Sequence, residues 1–208
     1  QPAGWYNKEI KTIGDYKGLK MRVGGLGAKV LQSMGGTPVS MPLGEVPQAM
    51  QSGAIDAIEF VGPLNDLSFG LHKVAKFYYW PGWLEPSGPY DIFINQKAWA
   101  TLTPTEQEIV KAGSAVAMKA NIDEMWAKNA SSFNQMVGEL KVQVRQIPDD
   151  AIRQIADAAF KVCEAEAAKD ADSREVWTSV MKFRKEMLPY MHVSEYDFMR
   201  VRSLVKFG

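Results

Sequence analysis

Leu19-Lys20-Met21-Arg22-Val23, then Gly24-Gly25, then Leu26 to Met34, is the stretch whose reading sets the fold class. The first five residues alternate apolar and polar with the two-residue period of a strand half-buried on one face, and the glycine pair breaks it. The spacing of Leu26, Val30 and Leu31 then predicts a short helix, closed by Gly35-Gly36. Working outward, a second strand is expected at Val39 to Pro42 and another short helix with Pro47 near its start and Gly53 at its end. Ile55 to Val61 is apolar except for Asp56 and Glu59, as a buried strand would be. This β-α-β-α-β rhythm with short crossovers argues for an α/β fold with a mainly parallel sheet covered by helices.

Beyond it, Phe77-Tyr78-Tyr79-Trp80-Pro81-Gly82-Trp83 is an aromatic cluster ending in a Pro-Gly turn, and Tyr90 to Asn95 is a strand candidate. Thr103-Pro104-Thr105-Glu106 combines a Thr cap, a first-turn proline and a glutamate placed for a capping box. Apolar residues recur at helical spacing through Ile122, Met125/Trp126, Phe133, Met136/Val137 and Leu140, so one helix of unusual length is expected from Pro104 to Leu140. Val142 and Val144 suggest a last short strand. After Pro148 the chain reads as helical, with helices opened by Asp149 or Asp150, by Asp172-Ser173-Arg174-Glu175, and by Ser194 with Asp197.

Among the 208 residues, 24 Lys plus Arg balance 24 Asp plus Glu, so there is no overall field to attract nucleic acid or an anionic membrane, and a charged ligand must be held locally. The single cysteine, Cys163, excludes an internal disulfide and a multi-cysteine zinc site; it shares a helix side with Ile152, Ile155 and Phe160 and reads as a small core residue. No apolar run approaches the roughly 20 residues of a membrane span. His72 and His192 lie far apart, which gives no support to a transition-metal centre. Gly25-Leu26-Gly27-Ala28-Lys29-Val30 lacks the third glycine of a dinucleotide fingerprint and reads as backbone packing at a tight turn. Ser40, Ser52 and Ser87 have no nucleophile-elbow context.

Three charged residues carry more. Arg22 sits mid-strand before a double glycine and a helix start. It lies either on the solvent face with Lys20 or at the carboxyl edge of a parallel sheet, where its planar fork could grip a carboxylate. Glu59 is set in Ala57-Ile58-Glu59-Phe60-Val61, and a carboxylate in such a run needs a cation or several donors. Glu85 closes the aromatic cluster. If the two glutamates meet, a hard ion such as Na⁺ or Ca²⁺ between them would relieve their repulsion; otherwise each belongs to a separate structural salt bridge.

Gly4-Trp5-Tyr6-Asn7-Lys8-Glu9-Ile10, Asp15-Tyr16-Lys17-Gly18-Leu19-Lys20-Met21-Arg22, Gln51-Ser52-Gly53-Ala54-Ile55-Asp56-Ala57, Glu59-Phe60-Val61-Gly62-Pro63, Lys73-Val74-Ala75 and Tyr78 to Trp83, in that order and spacing, resemble the solute-binding proteins of tripartite ATP-independent periplasmic (TRAP) transporters. The likeness is to the branch that binds 2-oxo acids and related monocarboxylates. It runs at motif level to about Asn95, with only the helical layout agreeing beyond.

The resemblance implies a two-lobed fold like that of periplasmic binding proteins, of which this chain is read as the later part, a C-terminal fragment. On that reading residues 1–57 and 95–147 form the second α/β lobe, including a long lobe-spanning helix from about residue 104. Residues 58–94 return to a first lobe whose main N-terminal segment precedes Gln1, and residues 148–208 are C-terminal helices. The abrupt start, without an initiator methionine or a basic, apolar leader, is read as that of a processed or truncated product.

By the same resemblance, Arg22 grips the substrate carboxylate. Glu59 and Glu85 give side-chain oxygens to a bound cation, Na⁺ or Ca²⁺. Phe60 gives its backbone carbonyl and packs its ring on the ligand, and Gln1 touches both ion and substrate. Close relatives tend to carry Trp at the Phe60 position, so pocket size is expected to differ. The implied function is a periplasmic receptor for a small 2-oxo or 2-hydroxy monocarboxylate of the pyruvate or lactate kind. It would deliver to TRAP membrane permease subunits, with a possible homodimer through the C-terminal helices. The alternatives are a TRAP receptor for another carboxylate, such as a dicarboxylate, and a metal-dependent enzyme acting on 2-oxo acids. A non-enzymatic role is preferred because no His or Lys in these motifs is an evident general base. A helical interaction module on residues 149–208 is a further option.

Overall fold

The strand expected around Met21 is β2, Lys20–Arg22, and the helix after it is α1, Gly25–Ser33, in a computed structural model that describes residues 1–85 and 91–205. β3 (Thr37–Val39), α2 (Val46–Ser52) and β4 (Ala57–Ile58) follow in the expected order. β2 pairs in parallel with both β3 and β4, Arg22 lying opposite Val39 on one side and Ile58 on the other. Gly53 ends α2 in the left-handed region, at φ 73°.

Two further strands complete the centre of the sheet. β1, Gly4–Tyr6, inserts antiparallel between β4 and β5, Phe77–Trp80, and β6, Gln143–Gln146, adds in parallel outside β5. The order is β3-β2-β4-β1-β5-β6, so β1 is the single reversed strand among the described residues. The sheet is therefore mixed rather than wholly parallel. The Gly4-Trp5-Tyr6 strand carries no alternation because all three residues are buried, as expected of a central strand covered on both faces. Trp5 stacks on Tyr78 with ring centroids 4.2 Å apart, and Tyr6 meets Tyr79 edge-on at 5.1 Å, one pair on each side of the sheet.

The core on the Trp5 side gathers Val46, Met50, Ile55, Ile58, Leu71, Tyr78 and Met136, with Phe60, Trp80 and Phe133 packed against it. Met136 and Phe133 come from α5, Pro104–Gly138, a single helix of 35 residues. At about 1.5 Å per residue it is roughly 50 Å long. Its start is the capping box: the Thr103 hydroxyl accepts from the Glu106 amide while the Thr103 amide donates to the Glu106 carboxylate at 2.7 Å. α3, Pro63–Ser68, packs beside α5, and Asn129 Oδ1 accepts from the Leu64 amide at 2.9 Å. α4, Gln96–Ala100, is capped by Asn95.

Several boundaries differ from the sequence reading. The Ile55–Val61 strand is reduced to Ala57–Ile58, because Gly62 and Pro63 turn the chain into α3. β3 occupies Thr37–Val39 rather than Val39 to Pro42. Asp91 to Asn95 form no strand, and Ile92, Phe93 and Ile94 are exposed; Tyr90 and Ser87 lie outside the described residues.

The chain forms two compact units, Gln1–Ala156 and Asp157–Gly208, with the boundary inside α6, Asp149–Ala167. In the second unit, α7, Ala171–Met191, starts from Asp170, whose carboxylate accepts from the Ser173 amide at 2.7 Å. It does not stop before Ser194. A π-helical turn, His192–Tyr196, carries it into α8, Asp197–Arg202. The Ser194 hydroxyl donates back to the Tyr190 carbonyl at 2.8 Å instead of capping a new helix. Cys163 is half-buried on α6 rather than in a core. Among the described residues no helix is long and apolar enough to cross a membrane.

Candidate functional site

The reversed direction of β1 decides what meets at one edge of the sheet. β2, β4 and β5 end there: β2 in Arg22 itself, β4 followed by Glu59-Phe60, and β5 by the strap from Pro81 to Glu85. β1 runs the other way, so the residues leading into it, Gln1 to Ala3, lie at the same edge. Carboxyl ends of parallel strands are where open sheets gather ligands. Here a reversed neighbour adds its own beginning to them.

Gln1 makes the junction. Its Nε2 donates to Glu59 Oε1 at 2.6 Å and to the Phe60 carbonyl at 3.1 Å. The backbone around it is held by the strap: the Gly82 amide donates to the Gln1 carbonyl at 2.8 Å, and the Ala3 amide to the Tyr79 carbonyl at 2.8 Å. Only glycine fits at 82, since a Cβ there would lie 2.7 Å from the Gln1 carbonyl oxygen and 2.9 Å from that of Pro2. The strap also lies on the start of α1, where a Cβ on Gly27 would meet the Leu84 side chain at 2.4 Å. The Gly25-x-Gly27 element is thus a packing feature, in keeping with its lack of a third glycine.

Glu59 is half-buried, and its carboxyl is pushed up from the ordinary 4.5 to about 7. Burial is the main cause; the Gln1 hydrogen bond opposes it, the negative charges of Glu85 and Asp66 add to it, and Arg22 opposes it. Glu85 and Arg22 are therefore close enough for their charges to act on Glu59. Arg22 is half-buried at the end of β2, whereas Lys20, two residues earlier, reaches the Gly53 carbonyl at 2.6 Å. Phe60 meets Phe69 edge-on at 5.5 Å, and its carbonyl faces the Gln1 amide.

A residue that sequence reasoning missed braces this edge. Asp66 is fully buried in α3, and its Oδ2 accepts from Trp5 Nε1 and from the Tyr78 hydroxyl, each at 2.8 Å. Its Oδ1 accepts from the Gly62 amide at 3.0 Å and the Val61 amide at 3.3 Å. Burial raises its pKa in spite of these four bonds. Asp66 thus fixes the turn directly after Glu59-Phe60. Its signal in the sequence was an acidic residue in the first turn after Gly62-Pro63, the place where a carboxylate finds free amides.

At this junction the Glu59 carboxylate and the Phe60 carbonyl present oxygens, and the Gln1 side chain turns its Nε2 toward both. Among the described residues there is no cluster of three or more His, Cys, Asp or Glu that could hold a metal by themselves. A cavity of about 670 Å³ adjoins Gln1 and is lined by Val61, Pro63, Trp80 and, from α5, Met125 and Phe133.

The profile of bacterial extracellular solute-binding protein family 7 matches residues 3–170. The chain is 37% identical over 200 residues to a monocarboxylate 2-oxoacid-binding periplasmic protein of Nostoc sp., covering 95% of this chain and 54% of that protein. A TRAP periplasmic solute-binding protein of Pseudoalteromonas atlantica, solved with bound sodium and pyruvate, superposes with a TM-score of 0.90 at 30% identity, over 96% of this chain and 61% of its own. One from Bordetella bronchiseptica, a dimer with calcium and picolinate in one active site and an apo site, gives 0.84 at 31% identity over 99% of this chain and 62% of its own. The chain thus spans about half to three-fifths of these relatives' length.

Proposed function

The chain belongs to bacterial extracellular solute-binding protein family 7, and from that premise we propose that it forms the ligand-gripping part of a periplasmic TRAP receptor for a small 2-oxo or 2-hydroxy monocarboxylate, bound together with a cation. The observation that carries this reading is the meeting of Gln1, Glu59 and the Phe60 carbonyl at one sheet edge, with Arg22 and Glu85 in electrostatic reach.

The residues fit a hard cation. Gln1 Nε2, a donor, bridges Glu59 Oε1 and the Phe60 carbonyl, the place where positive charge would be most stabilised. The charge of Glu85 raises the cost of ionising Glu59, and a cation between the two would remove that cost. Glu59, Glu85, the Phe60 carbonyl and Gln1 would hold Na⁺ or Ca²⁺, which supplies a contact for the oxygen next to the substrate carboxylate. Arg22 offers two parallel N–H donors to that carboxylate, and the Phe60 ring forms an apolar wall. A neutral protein can in this way select an anion with one arginine and one bound cation. Relatives solved with sodium and pyruvate or with calcium and picolinate support the ligand class.

The proposal extends to the architecture. Residues 1–57 and 95–147 act as the second α/β lobe, while residues 58–94 and the outward part of α5 pack on a first lobe. The apolar cavity beside Gln1 supports this, as do Ile92, Phe93 and Trp126, the last two 91% and 79% exposed. Closure around the ligand would present a distinct form to the membrane permease subunits, a population shift rather than a reaction. The helices of residues 148–208 are a dimer surface in this reading: Phe183, Phe198 and Met199 are exposed on them, and the Bordetella relative is a dimer.

Native mass spectrometry of protein purified from its own periplasm tests the proposal. The expected species retains a small carboxylate and one cation. Incubation with pyruvate should return it unchanged; turnover would replace the receptor by an enzyme.

A further inference from the structure

The apolar stripe of α5 has a gap. Ile122, Met125, Phe133 and Met136 recur at helical spacing, and the position midway between Met125 and Phe133, four residues from each, holds Asn129. Phe133 packs edge-to-face on Trp80 at 6.1 Å and Met136 is wholly buried, so the face that Asn129 shares with them is anchored in the core on the Trp5 side. Asn129 itself is half-buried, and a polar side chain on such a face needs a partner. Its partner lies in α3 rather than in its own helix.

α3 begins on Gly62-Pro63, and that beginning lacks the usual means of capping. Gly62, at the cap position, has no side chain to accept from the first-turn amides, and Pro63 has no amide at all. Leu64 carries the first amide in need of an acceptor, and Asn129 Oδ1 takes it at 2.9 Å. The Asn129 side chain also lies against Gly62, where a Cβ would stand 3.3 Å from its Oδ1 and 3.6 Å from its Nδ2. Asp66 Oδ1 holds the two preceding amides, accepting from Gly62 at 3.0 Å and from Val61 at 3.3 Å. The turn from Val61 to Leu64 is thus gripped by two elements, by Asp66 from within α3 and by Asn129 from α5.

That turn is the direct continuation of Glu59-Phe60, whose carboxylate and carbonyl meet at Gln1 Nε2. We propose that Asn129 is a positioning residue for the cation site: by capping α3 from α5, it fixes where the Phe60 carbonyl and the Glu59 carboxylate stand. This role rests on the reading of those two groups as cation ligands. Asn129 acts through the backbone of Gly62 and Leu64, and α5, pinned in the core one turn further on by Phe133, supplies the rigid support. Contacts that orient metal ligands typically alter affinity tenfold or more.

Calorimetric titration of the intact protein with calcium tests the proposal. Asn129→Leu keeps the volume and the helix but has no acceptor, and should weaken calcium about tenfold. Asn129→Asp keeps an acceptor for the Leu64 amide. In strong potassium chloride, which screens its added charge, it should stay within about twofold of wild type. Thr103→Ala loosens α5 at its first turn and should lower the melting temperature while leaving calcium affinity unchanged. Amide exchange followed by NMR, with and without calcium, should be faster at Leu64 in Asn129→Leu and unchanged there in Asn129→Asp. Wild-type affinity in Asn129→Leu, an Asp variant as weak as the Leu variant, or unaltered exchange at Leu64 overturns the proposal. So does an equal loss of calcium in Thr103→Ala, which would reduce Asn129 to a contribution to general stability. A wild-type protein that binds neither calcium nor sodium overturns the cation reading and the positioning role with it, whereas faster Leu64 exchange in Asn129→Leu would still establish the cap.

Discussion

Lowering the pH from 8 to 5 should weaken cation-dependent ligand capture by about two orders of magnitude, and Glu59 is the reason. Its carboxyl titrates at about 7 in the ligand-free protein, because burial and the nearby Glu85 outweigh the Gln1 hydrogen bond and Arg22. A carboxylate must lose its proton to ligate a cation, so the apparent dissociation constant grows by the factor 1 + 10^(pKa − pH). At pH 8 that factor is about 1.1 and at pH 5 about 100, close to tenfold per unit below neutrality. A glutamate at its ordinary 4.5 would change the same affinity by less than about twofold over this range. The assay is calorimetric titration with calcium between pH 5 and 8.5 at saturating pyruvate. Glu59→Gln should lose most of the affinity and the pH dependence with it. Affinity that stays flat from pH 8 to 5, or improves in acid, would rule Glu59 out as a cation ligand.

Linkage has the opposite sign for the ligand-free fold. A carboxyl raised on folding holds its proton more tightly in the native state. Its contribution therefore favours folding below about 4.5 and is lost as the pH climbs through about 7. The thermal shift produced by calcium should accordingly be greatest above pH 7.

Arg22→Lys keeps the charge but not the two parallel donors, and loss of one charge-assisted hydrogen bond of about 2 kcal/mol should weaken carboxylate binding roughly 30-fold; isothermal titration with unchanged affinity would dismiss Arg22 as the anchor. Asp66→Asn should cost about 2 kcal/mol in urea unfolding, since the Tyr78 hydroxyl can reverse toward an amide but the Trp5 N–H cannot. Equal stability would show that burying the Asp66 charge costs as much as its four bonds return. Thr103→Ala removes the capping box of α5 and should cost about 1 kcal/mol, read from the circular-dichroism melt.

How far the sequence disclosed this molecule depended on what each segment had to bury. β2, α1, α2 and α5 were legible because each presents one buried and one exposed side, or an explicit cap such as Thr103-Pro104-Thr105-Glu106. β1 and β5 were not, because central strands buried on both faces show aromatic runs without alternation. The Asp91–Asn95 segment has strand composition, but its apolar residues face solvent and no described strand pairs with it. At the site, Arg22 could be placed before a helix start, yet its nearness to Glu59 depends on β2 and β4 pairing in register. No local pattern joins Gln1 to Glu59 and Phe60; the family resemblance implied it, and the reversal of β1 is what brings them together. Asp66 went unnoticed because its four partners are spread between Trp5 and Tyr78.

At the edge formed by β1, β2, β4 and β5, selection of a small 2-oxo acid is proposed to fall to an arginine and a bound cation together. The most direct measurement is titration of the intact protein with pyruvate, first after exhaustive chelation and then with calcium or sodium restored. Without cation, binding should be weak or absent; with it, one pyruvate should be bound tightly per chain. Equal affinity in the two conditions would contradict it.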